Sequence, residues 1–145
     1  MSFDVARIQE RHLSDGTRFD IYVPSRRPTR VLVSAIPVIE AVLPRSVGVE
    51  LAGTFAEEHA YLVLSPAFDY QSGFQLLGVG GPVRHDLLLL RMLDDVARDG
   101  LVSTDRVSLF GYSAGGQFAH RFLYLHSERL DQVAIGAPGG VTLPD

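Results

Sequence analysis

The run Val107-Ser108-Leu109-Phe110-Gly111-Tyr112-Ser113-Ala114-Gly115-Gly116-Gln117-Phe118 constrains this chain more than any other stretch. A short apolar segment leads into small residues with one serine at the apex. Phe118, Phe122 and Leu125 then repeat at helical spacing, which predicts strand, turn and a helix reaching about Glu128. A serine on so sharp a corner has strained dihedrals, and side chains two positions either side would collide with the strand or the helix. Glycine at 111 and 115 removes that collision. The corner leaves a hydroxyl at the carboxyl end of a strand and aims the first N–H groups of a helix at an anion forming beside it. Gly-x-Ser-x-Gly in this setting is the pattern of a nucleophile elbow. The alternative is a plain strand-to-helix turn, because the string also arises by chance in a chain with 14 glycines.

Around this corner the apolar residues come in short continuous runs: Val31-Leu32-Val33, Tyr61-Leu62-Val63-Leu64, Val107 to Phe110, and Val133-Ala134-Ile135. Segments of helical periodicity separate them, which predicts parallel strands buried on both faces. A helix is expected over residues 49–59 with its acids outward. Another should open at Pro82, with Val83, Leu87, Leu90, Leu93 and Ala97 on the buried face and Gly100 as its stop. Residues 3–23 read as a β-hairpin turning at Ser14-Asp15-Gly16-Thr17, its second strand alternating Phe19, Ile21 and Val23 with a wet face of Arg18, Asp20 and Tyr22. Strand–helix alternation means an α/β fold with right-handed crossovers, whose chemistry lies at the carboxyl ends of the strands. The loops to watch are therefore 34–48, 65–82, 111–115 and 137–145.

Composition acts here mainly by exclusion. There is no cysteine, hence no disulfide, thiol nucleophile or thiolate-held metal. All 13 basic residues are arginine, which rules out a Walker-A lysine, a Schiff-base lysine and a Ser–Lys pair in this chain. Gly78-Val79-Gly80-Gly81-Pro82 fails as a dinucleotide fingerprint, since proline and Val83 follow where a third glycine belongs. A net charge of −4 gives no footprint for nucleic acid or an anionic membrane. The apolar stretch from Val31 to Leu43 is broken by Pro37 and Glu40 and is too short to span a bilayer. Met1-Ser2-Phe3-Asp4 carries no signal-peptide pattern, so a cytoplasmic location is the expectation. No pair of histidines has metal-ligand spacing. Serine with histidine is the main nucleophilic chemistry left.

Phe110-Gly111-Tyr112-Ser113-Ala114-Gly115-Gly116-Gln117-Phe118-Ala119-His120-Arg121 resembles bacterial serine esterases of the α/β-hydrolase family. The resemblance extends to the opening hairpin, Val31-Leu32-Val33, residues 60–69 with Ser65-Pro66, and residues 109–135. It implies a three-layer sandwich around a mostly parallel sheet, with residues 1–145 forming a single partial domain that stops after the strand following the elbow. It also implies Ser113 as nucleophile, the Ala114 N–H as one oxyanion donor, Gly111 and Gly115 as the elbow glycines, a small-molecule acyl substrate and no cofactor or metal. The reaction would be acyl transfer to serine followed by hydrolysis.

Two departures from the family accompany the resemblance. Members usually carry His-Gly in the loop that gives the second oxyanion donor, whereas this chain has Ser34-Ala35-Ile36-Pro37-Val38-Ile39-Glu40-Ala41, a mismatch that a local reading-frame error would explain. The family order is serine, acid, histidine, and the sequence ends at Asp145. Asp145 is the candidate acid by position, while Asp69 and Asp86 precede the serine. None of His12, His59, His85, His120 and His126 holds the late position of a triad base, and each reads as structural. Three readings follow: a hydrolase inactive alone, a non-catalytic remnant or subunit pairing through an exposed sheet edge, and an anion-binding helix start. A homodimer or a complementing C-terminal half is the expected partner.

Overall fold

The computed structural model describes residues 2–38 and 47–143. Six strands form one sheet: β1 (Ile8–His12), β2 (Arg18–Tyr22), β3 (Arg30–Ala35), β4 (Tyr61–Pro66), β5 (Val107–Tyr112) and β6 (Leu130–Gly136). Their spatial order is β1-β2-β4-β3-β5-β6. The hairpin β1–β2 is antiparallel and joins β4 antiparallel, while β3, β4, β5 and β6 run parallel. Three helices connect the parallel strands: α1 (Val47–His59), α2 (His85–Ala97) and α3 (Ala114–His126). This is the expected α/β architecture, with most strands longer than their apolar cores because the ladder continues into Ser34-Ala35, Ser65-Pro66 and Gly111-Tyr112.

The sheet separates two cores. On one face α2 and α3 bury Leu89, Met92, Leu93, Phe118 and Phe122 against Val33, Leu64 and Leu109. On the other, α1 buries Val49 and Ala56 against Tyr22, Tyr61 and Val63. Helices on both faces explain why β4 is buried at every position and reads as an unbroken apolar run. Among the described residues no helix is long and apolar enough to cross a membrane.

Packing overrides the sequence pattern in five places. Glu57 on α1, expected outward with the other acids, is buried. β2 has no wet face: Asp20 and Tyr22 are both buried, because α1 covers that side. The Tyr22 hydroxyl donates to Glu57 Oε1 at 2.6 Å, and Ser25 donates to the same carboxylate through its N–H and its Oγ. Helix α2 starts three residues after Pro82 and is rotated from the expected face. Val83 and Leu87 are exposed, and the buried stripe is His85, Asp86, Leu89, Met92, Leu93 and Val96. Four consecutive leucines, 87–90, leave the helical phase undetermined, and the buried Asp86 fixes it. On α3 Leu125 is half exposed rather than buried, and the helix gives way to a 3-10 turn at Ser127–Arg129. Finally, β6 is not covered on both faces; most of its positions are exposed.

Burial pushes the Glu57 carboxyl up, yet the donors Ser25 and Tyr22 outweigh it and hold the group below the ordinary carboxylate range. Tyr22→Phe removes one donor from a buried charge. The expected cost is about 1.5–3 kcal/mol, read as a lower urea midpoint with an unchanged slope.

Candidate active site

The corner forms where β5 ends and α3 begins. Ser113 has φ 56° and ψ −122°, a left-handed conformation outside the ordinary regions for a residue with a Cβ. Its backbone is held on every side. The Ser113 N–H donates to the Gly136 carbonyl at 3.0 Å, and its own carbonyl accepts from the N–H groups of Gly116 and Gln117 at 2.9 and 3.1 Å. The residue is exposed, and among the described residues Oγ makes no hydrogen bond within this corner. Among the described residues, then, nothing holds the hydroxyl, which stands at the carboxyl edge of the sheet beside half-exposed Tyr112.

Each glycine around it has a steric reason. A Cβ on Gly115 would overlap the Ala35 carbonyl and stand 2.6 Å from its carbon, because the first turn of α3 rests on the end of β3. A Cβ on Gly111 would strike the Gly115 carbonyl and come within 2.8 Å of Ala119 Cβ. Gly116, which the sequence reading does not single out, would bring a Cβ to 2.9 Å from the Gly136 carbonyl oxygen. Three strands and one helix converge on four residues, and the close approach fixes where the Ser113 side chain emerges.

Ala114 is the first residue of α3 and is buried. Its N–H lies in the first turn, where no intrahelical acceptor exists, at the positive end of the helix dipole and next in sequence to the serine. The Ile36 nitrogen stands 3.4 Å from where a Gly115 Cβ would be, so the loop after β3 borders the corner. That loop is tied to the one after β4: Val38 N–H donates to Phe68 O at 3.0 Å, and Tyr70 N–H to Val38 O at 3.2 Å. Of the loop 34–41, which carries no His-Gly pair, residues 39–41 lie outside the described residues, as does Asp145.

All five histidines are engaged elsewhere. His120 is buried; Nδ1 lies 3.3 Å from Gly116 O and Nε2 accepts the Thr142 N–H at 2.8 Å. His126 Nε2 meets Asp86 Oδ2 at 2.7 Å. His85 stacks edge-on to Phe68 at 5.0 Å, and burial pushes its imidazole pKa down. His59 sits beside Phe55, and His12 pairs with Glu10 at 3.4 Å. No histidine hydrogen-bonds Ser113. Asp69 caps a 3-10 turn by accepting the Gln71 N–H at 2.9 Å. Asp86 lies in the first turn of α2, fully buried. Among the described residues no cluster of three or more candidate ligands could hold a metal.

The segment after β6, one of the loops expected near the site, forms a strap along a helix that nothing in the sequence announces. Residues 137–143 lie along α3, where Thr142 bonds with His120, Arg121 and Tyr124. Thr142 carries no local signal that it would be so held.

Sequence comparison yields no match to a protein-family model and none to a curated protein. Among solved structures, the poly(aspartic acid) hydrolase-1 of Sphingomonas sp. KT-1 superposes with a TM-score of 0.78 at 22% identity, covering 95% of this chain and 59% of that one. LpqC, a poly(3-hydroxybutyrate) depolymerase from Bordetella parapertussis, gives 0.75 at 22%, covering 97% and 56%. The acetyl xylan esterase of Aspergillus awamori gives 0.70 at 15%, covering 91% and 53%. This chain spans somewhat more than half the length of each.

Proposed function

From the α/β-hydrolase fold that this chain shares with those esterases and hydrolases, we propose that it is the serine-bearing part of a hydrolase acting on carboxylic esters. The observation that carries the reading is Ser113 itself: exposed, at φ 56° on a corner clamped by glycines, with the N-terminus of α3 behind it. A backbone strained at one serine, and held there by contacts from three strands, is what a presented nucleophile requires. In the reaction Ser113 Oγ forms a bond to the acyl carbon, and the alcohol leaves with a proton. Water then cleaves the acyl-serine, returning the hydroxyl and releasing the acid. The Ala114 N–H would face the oxyanion of each tetrahedral intermediate, a contact worth about 3–4 kcal/mol in such enzymes.

A serine hydroxyl is a weak nucleophile without a base beside it. The five histidines of this chain are all tied up away from Ser113. We therefore expect residues 1–145 alone to hydrolyse a short activated ester at the background rate, without a burst. Turnover that Ser113→Ala abolishes would overturn that expectation. The serine's own readiness is tested separately. After long exposure to a fluorophosphonate at alkaline pH, mass spectrometry should find more adduct on Ser113 than on any other serine. An adduct pattern led by a different serine would remove the reading.

A further inference from the structure

We infer that His120 is a positioning residue for Ser113: together with Thr142 it closes a circuit of hydrogen bonds that holds the serine's backbone in its left-handed conformation. Its chemical meaning rests on the hydrolase reading, because a presented nucleophile is what needs that conformation kept.

The circuit runs bond by bond through the corner. The Ser113 carbonyl accepts the Gly116 N–H at 2.9 Å. The Gly116 carbonyl oxygen lies 3.3 Å from Nδ1 of His120, one turn further along α3. On the far side of the imidazole, Nε2 accepts the Thr142 N–H at 2.8 Å. From Thr142 the strap leads back to Gly136, whose carbonyl accepts the Ser113 N–H at 3.0 Å. The N–H and the carbonyl of one serine are thus the two ends of a single path, and His120 is the side chain that completes it.

The bond directions fix the tautomer of the imidazole. A backbone N–H can only donate, so Nε2 must offer its lone pair to Thr142. The proton of the neutral ring then sits on Nδ1, facing the Gly116 carbonyl. Both nitrogens are used, in a residue that is 5% exposed. Packing alone makes no such demand: His85 is 6% exposed, and its Nδ1 finds no partner among the described residues.

The strap does not take this course by preference. Ala137, directly after β6, has φ 42°, a left-handed conformation that costs a residue with a Cβ. Val141 and Leu143 are exposed, so apolar packing does little to hold the segment down. Thr142 does it instead, with each of its polar groups bound to α3. Besides the bond to His120, Arg121 Nε donates to its Oγ1 at 2.9 Å and the Tyr124 hydroxyl donates to its carbonyl at 3.0 Å. Those last two lie in solvent, where water competes for the same groups, whereas the His120 bond is partly buried. Gly136 is also paired with Tyr112 at the end of the β5–β6 ladder, but the terminal pair of a strand opens first. The strains at Ser113 and Ala137 therefore meet at the Gly136 carbonyl, and His120 steadies the free side of it.

Nuclear magnetic resonance on isotopically labelled residues 1–145 tests this directly. At neutral pH a nitrogen–nitrogen coupling across the hydrogen bond should connect the Thr142 amide to His120 Nε2, at the shift of an unprotonated ring nitrogen. A protonated Nε2, or no coupling, overturns the inference without any variant. Hydrogen exchange at the Ser113 amide reads the positioning itself. His120→Phe and Thr142→Pro, the second on an exposed residue, should each speed it about tenfold relative to the Leu64 amide in the sheet's centre. The double variant should go no further, since both changes break one path. His120→Gln puts an acceptor at the reach of Nε2, and Thr142→Val keeps the N–H, so both should stay within about twofold of the parent. A merely structural histidine gives a different pattern: His120→Phe would speed Ser113 and Leu64 together, or neither, and that result also overturns the inference. Fluorophosphonate labelling of Ser113 should fall in the same order as exchange rises, by about tenfold in the two breaking variants. If the parent shows no labelling preference for Ser113 while the coupling and exchange results hold, the hydrolase reading ends and the positioning of Ser113 by His120 stands.

Discussion

Gly115→Ala is expected to destabilise the chain by roughly 3 kcal/mol or more, the upper end of what one inserted methyl group costs a packed interior. The reason is that nothing nearby can give. The atoms a Cβ would strike are the Ala35 carbonyl oxygen and carbon, main-chain atoms of a central strand. β3 is hydrogen-bonded to β4 on one side and β5 on the other, so retreat means breaking a ladder. The other escape is for α3 to lift away, which would uncover Phe118 and Phe122, both fully buried, and release the backbone strain held at Ser113. For a domain of this size the loss corresponds to a melting temperature lower by roughly 10 °C. Gly140→Ala is the control, because a Cβ there meets nothing within 4 Å and its φ is not in the left-handed region; it should melt within about a degree or two of the parent. Equal melting of the two variants would mean that α3 does not rest on β3 as described. The substitution also reads the corner's chemistry: any residual fluorophosphonate preference for Ser113 should fall with it.

What could be read from the residues, and what could not, divides along physical lines. The glycines at 111 and 115 were legible because their requirement is local: a turn that sharp between strand and helix admits few alternatives. That Ala35 is the atom group behind Gly115 was not legible, since it depends on which strand lies beside β5. The parallel strands are legible as apolar runs, whereas the alternation of β2 misleads. Its Asp20 and Tyr22 look wet by alternation, and only the placement of α1 brings Glu57 and Ser25 to the Tyr22 hydroxyl and covers that face. In α2 the leucines 87–90 satisfy several helical phases equally. Asp86 decided among them through partners at positions 84 and 126, one of them forty residues away. The histidines read as structural from their positions, but their partners, a strap residue for His120 and a buried carboxylate for His126, are tertiary facts.

That buried carboxylate is the second site with a large expected effect. Asp86 has no exposed surface. Arg84 donates Nε to Oδ1 at 2.9 Å and Nη2 to Oδ2 at 2.7 Å, and His126 meets Oδ2 at 2.7 Å. The cluster joins the first turn of α2 to the last turn of α3, where the acid also lies favourably on the α2 dipole and the histidine on that of α3. Burial alone pushes the Asp86 carboxyl up, but the hydrogen bonds and charge of Arg84 and His126 outweigh it and set it below the ordinary carboxylate range. Asp86→Ala leaves both partners facing a hole. Removing one member of a buried ionic group costs about 3–5 kcal/mol, and the lower figure applies, because Arg84 is one-third exposed and water can take over its donors. Asp86→Asn keeps the shape and loses the charge, so it should fall between parent and alanine variant. The sign of the pH dependence follows from the direction of the shift. A carboxyl whose folded pKa is depressed contributes stability that is complete above its unfolded value, about 3.9, and is lost as pH falls through the folded value. The gap in urea midpoint between parent and Asp86→Ala should therefore be full at neutral pH and close only in acid, below the ordinary carboxylate range. A gap that persists undiminished there would mean that Asp86 acts through its volume rather than its charge, and that the ionic link is not what holds α2 and α3 in phase.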